Sequence, residues 1–400
     1  MLFLLRLFPD SSLLYDEAKM TNVLHLTHTD INSDSRILKE MKCVANISDD
    51  YRVRGLGIEL SEEKHKTETY EKIEVFSIRL KSRAWRFLPT VLRHMLSFLE
   101  LFFKMVFKAI KFKPDIIHCH DTMVLPLGVF VKFFTNSKLI YDAHELESNK
   151  NSSNKNLGKI TLVLEKALWN SVDKLIVVSP SIANWYKNNI GVKDTEIIMN
   201  SPMLDENSEL KNKDYFRNKF SIPASSKIFL YIGILGKGRG IELILNTFKN
   251  NQDLSAHLVF LGYGEFKEKL VEDSKKYKNI HVHDAVPHQE VVTIARSADV
   301  GLCLIENVSL SDYYCLPNKL FEYAFAEIPI LASNFPDIKS VIDKYKLGKY
   351  SELSEGGIYE ALKAFEEENI VIDSSSLYEL SWQAQEVKLI GLYNDVKLKI

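Results

Sequence analysis

Along the chain, short apolar runs alternate with polar loops and with stretches whose apolar residues fall three and four positions apart. Val23 to Thr27, Tyr51 to Leu56, Ile73 to Leu80, Asp173 to Ser179 and Glu196 to Met199 read as strands of a buried sheet, and Asp115 to Asp121 and Leu139 to Glu145 as buried strands running into polar loops. Helical spacing predicts helices between them, the first over about Asp34 to Ile47 and another from Pro180 to about Asn189. The alternation restarts at Lys227, with strands Leu258 to Gly264, Asp299 to Ile305 and Ile330 to Ala332, and helices near Ile358 to Glu368 and Leu377 to Val396. Strand, loop and helix in repeated succession predict the α/β class with doubly wound, Rossmann-like sheets. In such sheets ligands bind at the carboxyl edge, where the loops after the strands lie.

Four hundred residues, 46% of them hydrophobic, exceed one ordinary core and suffice for two. The polar run after Asn200-Ser201-Pro202 is the best boundary, which gives a first domain over 20–205, a second over 206–375 and a terminal helix over 376–400. The opening MLFLLRLFPD is signal-like for eight residues, but Arg6 interrupts it and no small-residue cleavage site follows. Met20 directly precedes the first strand, so 1–19 is expected to be a disordered or non-native extension outside the fold.

A formal charge of −2 disfavours nucleic acid as a partner. Cys43, Cys119, Cys303 and Cys315 have no paired spacing for zinc or for a disulfide framework, which fits a cytoplasmic location. Charge is uneven locally. Arg79 to Lys113 sets Trp85, Phe87, Phe98, Phe102, Phe103, Phe107 and Phe112 among nine cations, with Glu100 the only acid. That pattern suits a helix lying on an anionic membrane surface, and also an ordinary amphipathic helix packed on a sheet.

The chemistry concentrates in Asp312 to Ile330. Pro317 is a good first-turn residue, Leu320, Phe321, Ala324 and Phe325 recur at helical spacing, and Pro329 ends the helix. Asn318 and Lys319 in the first turn bring free N–H groups, a positive dipole end and an ammonium, which suit a diphosphate. One turn on, Glu322 is placed to accept from ribose hydroxyls; a solvated helix with the same residues is the plain alternative. From Tyr231, YIGILGKGRG is a strand and glycine loop in which Gly233, Gly236, Gly238 and Gly240 permit close backbone approach and Arg239 reaches for phosphate.

In the first half, His118, His120 and Asp121 end one strand, and Asp142, His144 and Glu145 end the next, so both clusters emerge at one sheet edge. His-x-His on a strand projects two imidazoles to one face, which keeps open a metal-dependent hydrolase.

The run PNKLFEYAFAEIPI resembles the donor-site helix of the GT-B glycosyltransferases, retaining family four, in which Pro-x-Lys-x-x-Glu-Tyr closes over the nucleotide. The DSR run at Asp34 and the DIIHCHD and IYDAHE runs resemble further stretches of that family. The resemblance spans roughly Val23 to Asp395 and implies two Rossmann-like domains facing each other across a cleft, the terminal helix crossing back onto the first. It implies a transferase that moves a sugar from a UDP- or GDP-sugar, with retention, to a lipid-linked or polysaccharide acceptor in surface glycan synthesis. No metal or further cofactor is implied, and the location is cytoplasmic, with peripheral membrane contact through Arg79 to Lys113.

By the same resemblance His118, His120, His144 and Glu322 are catalytic, and Gly233, Gly238, Arg239, Asn318 and Lys319 bind the donor diphosphate. Glu322 also takes the ribose; Gly262, Gly264, Val286 and Pro287 belong to the base region. Asp34, Arg36, Asp121, Glu145 and Tyr314 are acceptor or sugar candidates. Two positions depart from the pattern: Tyr314 stands where the family carries its first Glu, and Ile234 where it carries an Arg. These departures support an alternative, a catalytically degenerate binding protein, and leave Glu306 as a candidate to replace the missing acid.

Overall fold

The computed structural model describes residues 20–59, 68–70, 72–150, 155–204, 213–251 and 253–400. The expected extension at 1–19 and the boundary at 205/206 lie outside the described residues.

The first sheet has eight strands, in spatial order Glu68–Tyr70, Ile73–Ile78, Tyr51–Ile58, Thr21–Leu26, Ile116–His120, Lys138–Ala143, Lys174–Val177 and Thr195–Ile197. All neighbours are parallel except the edge strand Glu68–Tyr70, which runs antiparallel to Ile73–Ile78. The chain winds outward from Thr21–Leu26 in one direction and then resumes beside it at Ile116–His120, so the switch point falls between these two strands. The second sheet is wholly parallel, in the order Ile280–Asp284, His257–Tyr263, Ile228–Ile234, Val300–Cys303, Ile330–Ser333 and Gly348–Ser351. Its switch point lies between Ile228–Ile234 and Val300–Cys303.

The central strands of each sheet, such as Ile116–His120 and Val300–Cys303, are covered on both faces and buried throughout, whereas Tyr51–Ile58 and Ile280–Asp284 nearer the edges partly alternate. Helix Ser35–Ala45 opens where Asp34, extended at φ −99° and ψ 97°, accepts from the N–H groups of Arg36 and Ile37. Helix Thr90–Phe112 buries Leu101, Met105, Ala109 and Phe112 against the sheet. No helix among the described residues is long and apolar enough to cross a membrane.

The predicted single terminal helix is broken at Ser381. A 3-10 turn, Ser374–Leu380, precedes helix Trp382–Lys397, because Ser381 is extended and its side chain accepts from the Ala384 N–H as an N-cap. The helix returns onto the first domain, where Trp382, Leu389, Leu392, Tyr393 and Val396 join the core around Val23, Ile37 and Met41. Val387, expected on that face, is 64% exposed, since its position is about 200° around the helix from Leu389.

Candidate active site

A cleft of about 630 Å³ lies between the two sheet edges, with His144, Glu145 and Lys150 on the first-domain wall and Arg239, Asp312 and Asn318 on the second. Arg239, Pro317 and Asn318 also line an adjoining pocket of about 500 Å³, which reaches Gly233, Gly262, Val286, His288, Lys319 and Glu322. Backbone contacts hold the walls together: the Leu146 N–H donates to Ser311 Oγ at 3.2 Å, and the Ser179 hydroxyl donates to the Tyr314 carbonyl at 2.7 Å.

On the second-domain wall, helix Asn318–Phe325 begins one residue later than the sequence suggests. Pro317 is its N-cap, at φ −75° and ψ 145°, and supplies no capping side chain; the Leu320 N–H donates to the Pro317 carbonyl at 2.9 Å, which leaves the N–H groups of Asn318 and Lys319 for a ligand. Lys319 is only 8% exposed. Its Nζ sits 3.7 Å from the centre of the Tyr231 ring and is buried without a hydrogen-bond partner. Gly233, at φ 123°, passes close enough that a Cβ there would lie 3.8 Å from that Nζ. Arg239 is 39% exposed, with only a loose contact of 3.9 Å to Asp312. Two cations therefore face the pocket with little internal compensation.

The glycine loop is pinned from below. Gly240 takes φ 70°, and a Cβ on it would meet the Leu304 carbonyl at 2.3 Å, so only glycine fits. Glu306 Oε1 accepts from the Gly240 N–H at 3.0 Å, which makes this carboxylate a fastener of the loop and not a replacement for the acid missing at Tyr314. Glu322 is 6% exposed; burial pushes its carboxyl up to about 7, with Lys319 pulling the other way. His288 Nδ1 lies 3.7 Å from Glu322 Oε1.

The first-domain wall departs from expectation. His144 reaches the cleft, 17% exposed, but His118 and His120 are fully buried behind it. The strand ends further back than the loop of His144, so the two imidazoles point into the core. Arg36 is likewise 4% exposed: it donates twice to Asp142, at 3.1 and 3.2 Å, and to the Ile198 carbonyl, and pairs with Glu40 at 3.0 Å. Asp34 is spent capping its helix. The Tyr314 ring packs against the first-domain core. Gly238, Gly264 and Pro287 do not line the pockets; Gly264, at φ 146°, serves a turn crowded by the Leu235 backbone.

Burial lowers His144, but the Asp142 and Asp121 carboxylates outweigh it and hold the imidazole up to about 9. Asp121 adopts φ 68° and ψ 162°, a region nearly reserved for glycine, with its carboxylate 4.0 Å from His144 Nδ1. Behind them, burial pushes His120 down to about 3 and lifts Glu40 to about 8.

Glu40, His118, His120 and Asp142 bring four possible metal-ligand atoms within 4.8 Å of one another. The Arg36 guanidinium already sits between the two carboxylates, so their charge is met by a cation from the chain itself. Sequence reasoning singled out neither His25 nor Glu40, which the structure gathers with His118 and His120. His25 carried a signal, as the lone imidazole inside the apolar run Val23 to Leu26.

The profile of Glycosyltransferase Family 4 matches residues 59–205, and that of the Glycosyl transferases group 1 matches 212–367. A Bacillus subtilis (strain 168) protein assigned to teichuronic acid biosynthesis, the glycosyltransferase TuaC, is 21% identical over 257 residues, covering 64% of this chain and 62% of that one. The chain thus spans about six tenths of that relative's length. Sucrose-phosphate synthase from Thermosynechococcus elongatus superposes with a TM-score of 0.76 at 14% identity, over 95% of this chain and all of that one. Anabaena Alr3699/HepE, solved with UDP-glucose, superposes with a TM-score of 0.66 at 10% identity, over 95% of this chain and all of that one.

Proposed function

Because the chain belongs to the group 1 glycosyltransferases of the GT-B fold, we propose that it transfers a sugar from a nucleoside diphosphate sugar across this cleft. The observation that carries the reading is the pair Lys319 and Arg239: one ammonium buried without a hydrogen-bond partner, one guanidinium half free, both beside a glycine loop and an uncapped helix N-terminus. A diphosphate supplies the missing negative charge and acceptors. As the sugar leaves, charge grows on that diphosphate, and these preorganised groups stabilise it most where it is largest. Glu322 accepts from the ribose, and His144 and Glu145 face the sugar or acceptor from the opposite wall.

The donor is a UDP- or GDP-sugar, in keeping with the UDP-glucose held by HepE. The acceptor is a lipid-linked or polysaccharide glycan, in keeping with the teichuronic acid assignment of TuaC, and transfer proceeds with retention. The enzyme works in the cytoplasm at a membrane surface. Supporting this are Phe103 and Phe107 on helix Thr90–Phe112, 68% and 73% exposed, beside Phe133 on helix Leu125–Thr135, 84% exposed. Arg79, Lys81, Arg83, Lys108 and Lys111 stand exposed on the same segment.

Thermal unfolding with UDP, GDP, ADP or CMP tests the donor site without a known sugar. A nucleotide at 100 times its Kd adds roughly 2.7 kcal/mol, a shift of at least about 2 °C. A shift from one nucleotide, lost in Arg239→Ala, supports the reading and names the donor class. No shift from any of the four favours the degenerate binding protein, to which Ile234, 53% exposed where a cation is expected, already points.

A further inference from the structure

Tyr393 of the returning helix is fully buried against His25 and His118 of the first domain. Its hydroxyl lies 2.8 Å from His118 Nδ1 and 3.3 Å from His25 Nε2. His25 Nδ1 lies 2.9 Å from His120 Nε2, and His120 Nδ1 lies 3.1 Å from His144 Nε2. His144 Nε2 is also 3.1 Å from Asp142 Oδ2. An unbroken chain of contacts therefore runs from the cleft wall through the core to the last helix.

A neutral imidazole has one donor and one acceptor nitrogen, so each choice along such a chain dictates the next. His144 stands between the carboxylates of Asp142 and Asp121, which favours a proton on both its nitrogens. Its Nε2–H, shared with Asp142 Oδ2, faces His120 Nδ1 at 3.1 Å, nearer than Asp142 Oδ2 and Glu40 Oε2 at 3.5 and 3.8 Å from that nitrogen, which favours a bare His120 Nδ1. His120 donates through Nε2 to His25 Nδ1, and His25 donates through Nε2 to the Tyr393 oxygen. The Tyr393 O–H is left to donate to His118 Nδ1. His118 then carries its proton on Nε2, directed at Asp142 Oδ2 and Glu40 Oε2, 3.6 and 3.8 Å away. The opposite sense would set an N–H of His120 against the N–H of His144.

We propose that Tyr393 is a positioning residue for His144: its hydroxyl, accepting from His25 and donating to His118, holds the chain in one sense and presents the His144 Nδ1–H to the cleft beside Asp121. A ring without the hydroxyl packs equally well but leaves His25 Nε2 without an acceptor and His118 Nδ1 without a donor. The terminal helix thereby acts on the cleft through hydrogen bonds as well as through packing. The consequence for transfer rests on the reading above, whereas the test does not.

Nitrogen-15 spectra of histidine-labelled free protein, assigned with single His→Gln variants, report which nitrogen of each ring carries the proton. The expected result is Nε2–H on His25, His118 and His120, and a doubly protonated His144 near neutral pH. Nδ1–H on His120 or His25 overturns the proposal. In Tyr393→Phe, His25 and His118 should give averaged tautomer shifts and the His144 signals should move. Val396→Ala, buried on the same helix but outside the chain, should leave all four rings as in the parent. Equal perturbation by both variants, or none by Tyr393→Phe, would show that Tyr393 only packs. Since no donor is present, absence of sugar transfer would leave this outcome untouched.

Discussion

Lys319 holds its Nζ 3.7 Å over the Tyr231 ring and finds no hydrogen-bond acceptor among the described residues, so the chain keeps a buried cation that a bound anion would satisfy. The ring face gives part of the lost hydration back and leaves the rest unmet. Lys319→Met should therefore weaken UDP binding by about tenfold to a hundredfold, the worth of a hydrogen bond to a charged group at ~1.5–3 kcal/mol. The free variant should melt no lower than the parent, because an unsatisfied buried charge has been removed. Calorimetric titration with UDP and a melting curve check both. Unchanged UDP affinity, or a clear loss of free-protein stability, would contradict the assignment.

Glu322 makes stability and nucleotide binding depend on pH in opposite directions. Its carboxyl rises from 4.5 to about 7 in the fold because burial outweighs the nearby Lys319, with His288 the other titratable neighbour. The folded state then holds a proton that the unfolded chain has released, so stability is lost as pH rises from about 4.5 to about 7, by about 3 kcal/mol in all. Ribose hydroxyls prefer the ionised acceptor, so UDP binding should tighten over the same interval and release protons. Glu322→Gln should flatten both trends relative to the parent. Measuring UDP affinity in buffers of different ionisation enthalpy counts those protons, and a parent that releases none would remove Glu322 from the ribose site.

Leu389 is fully buried where the returning helix meets the first-domain core. Leu389→Ala should cost ~2–5 kcal/mol of stability, the usual range for a buried leucine truncation. Val387→Ala on the exposed side of the same helix should cost well under 1 kcal/mol, as surface substitutions do. Denaturant melts of the two variants separate a helix docked on the core from one merely lying beside it.

The exposed aromatics give a binding prediction. Wild-type protein should sediment with vesicles containing phosphatidylglycerol, less so at high salt, and not with purely zwitterionic vesicles. Phe107→Asp together with Phe133→Asp should abolish sedimentation while leaving UDP binding intact, because both side chains lie outside the cleft pockets. Equal binding by parent and double variant would show that this face is not the one that docks.

Much of this was legible in one dimension. Most strands of both sheets, the helix capped by Asp34 and the glycine loop follow from local rules, since apolar runs, caps and positive-φ glycines act over a few residues. Asn318, Lys319 and Glu322 share one helix, so helical spacing alone places them together, whereas Arg239 of the glycine loop joins them only through the packing of the second sheet. The edge strands Glu68–Tyr70, Ile280–Asp284 and Gly348–Ser351 were missed: runs this short and this polar carry too little periodicity to detect.

The sequence by itself determined most of the elements, that they alternate into two parallel sheets, and which residue types suit a diphosphate. Only the tertiary structure decided which histidine faces the cleft. His118, His120 and His144 look equivalent in the chain, yet two sit in strand Ile116–His120 and one in the loop after the next strand, so burial divides them. It also decided the fate of Arg36 and Tyr393, whose partners Asp142 and His118 are 106 and 275 residues away. Pairings of that reach are set by how the sheets and the returning helix pack, and no local pattern encodes them.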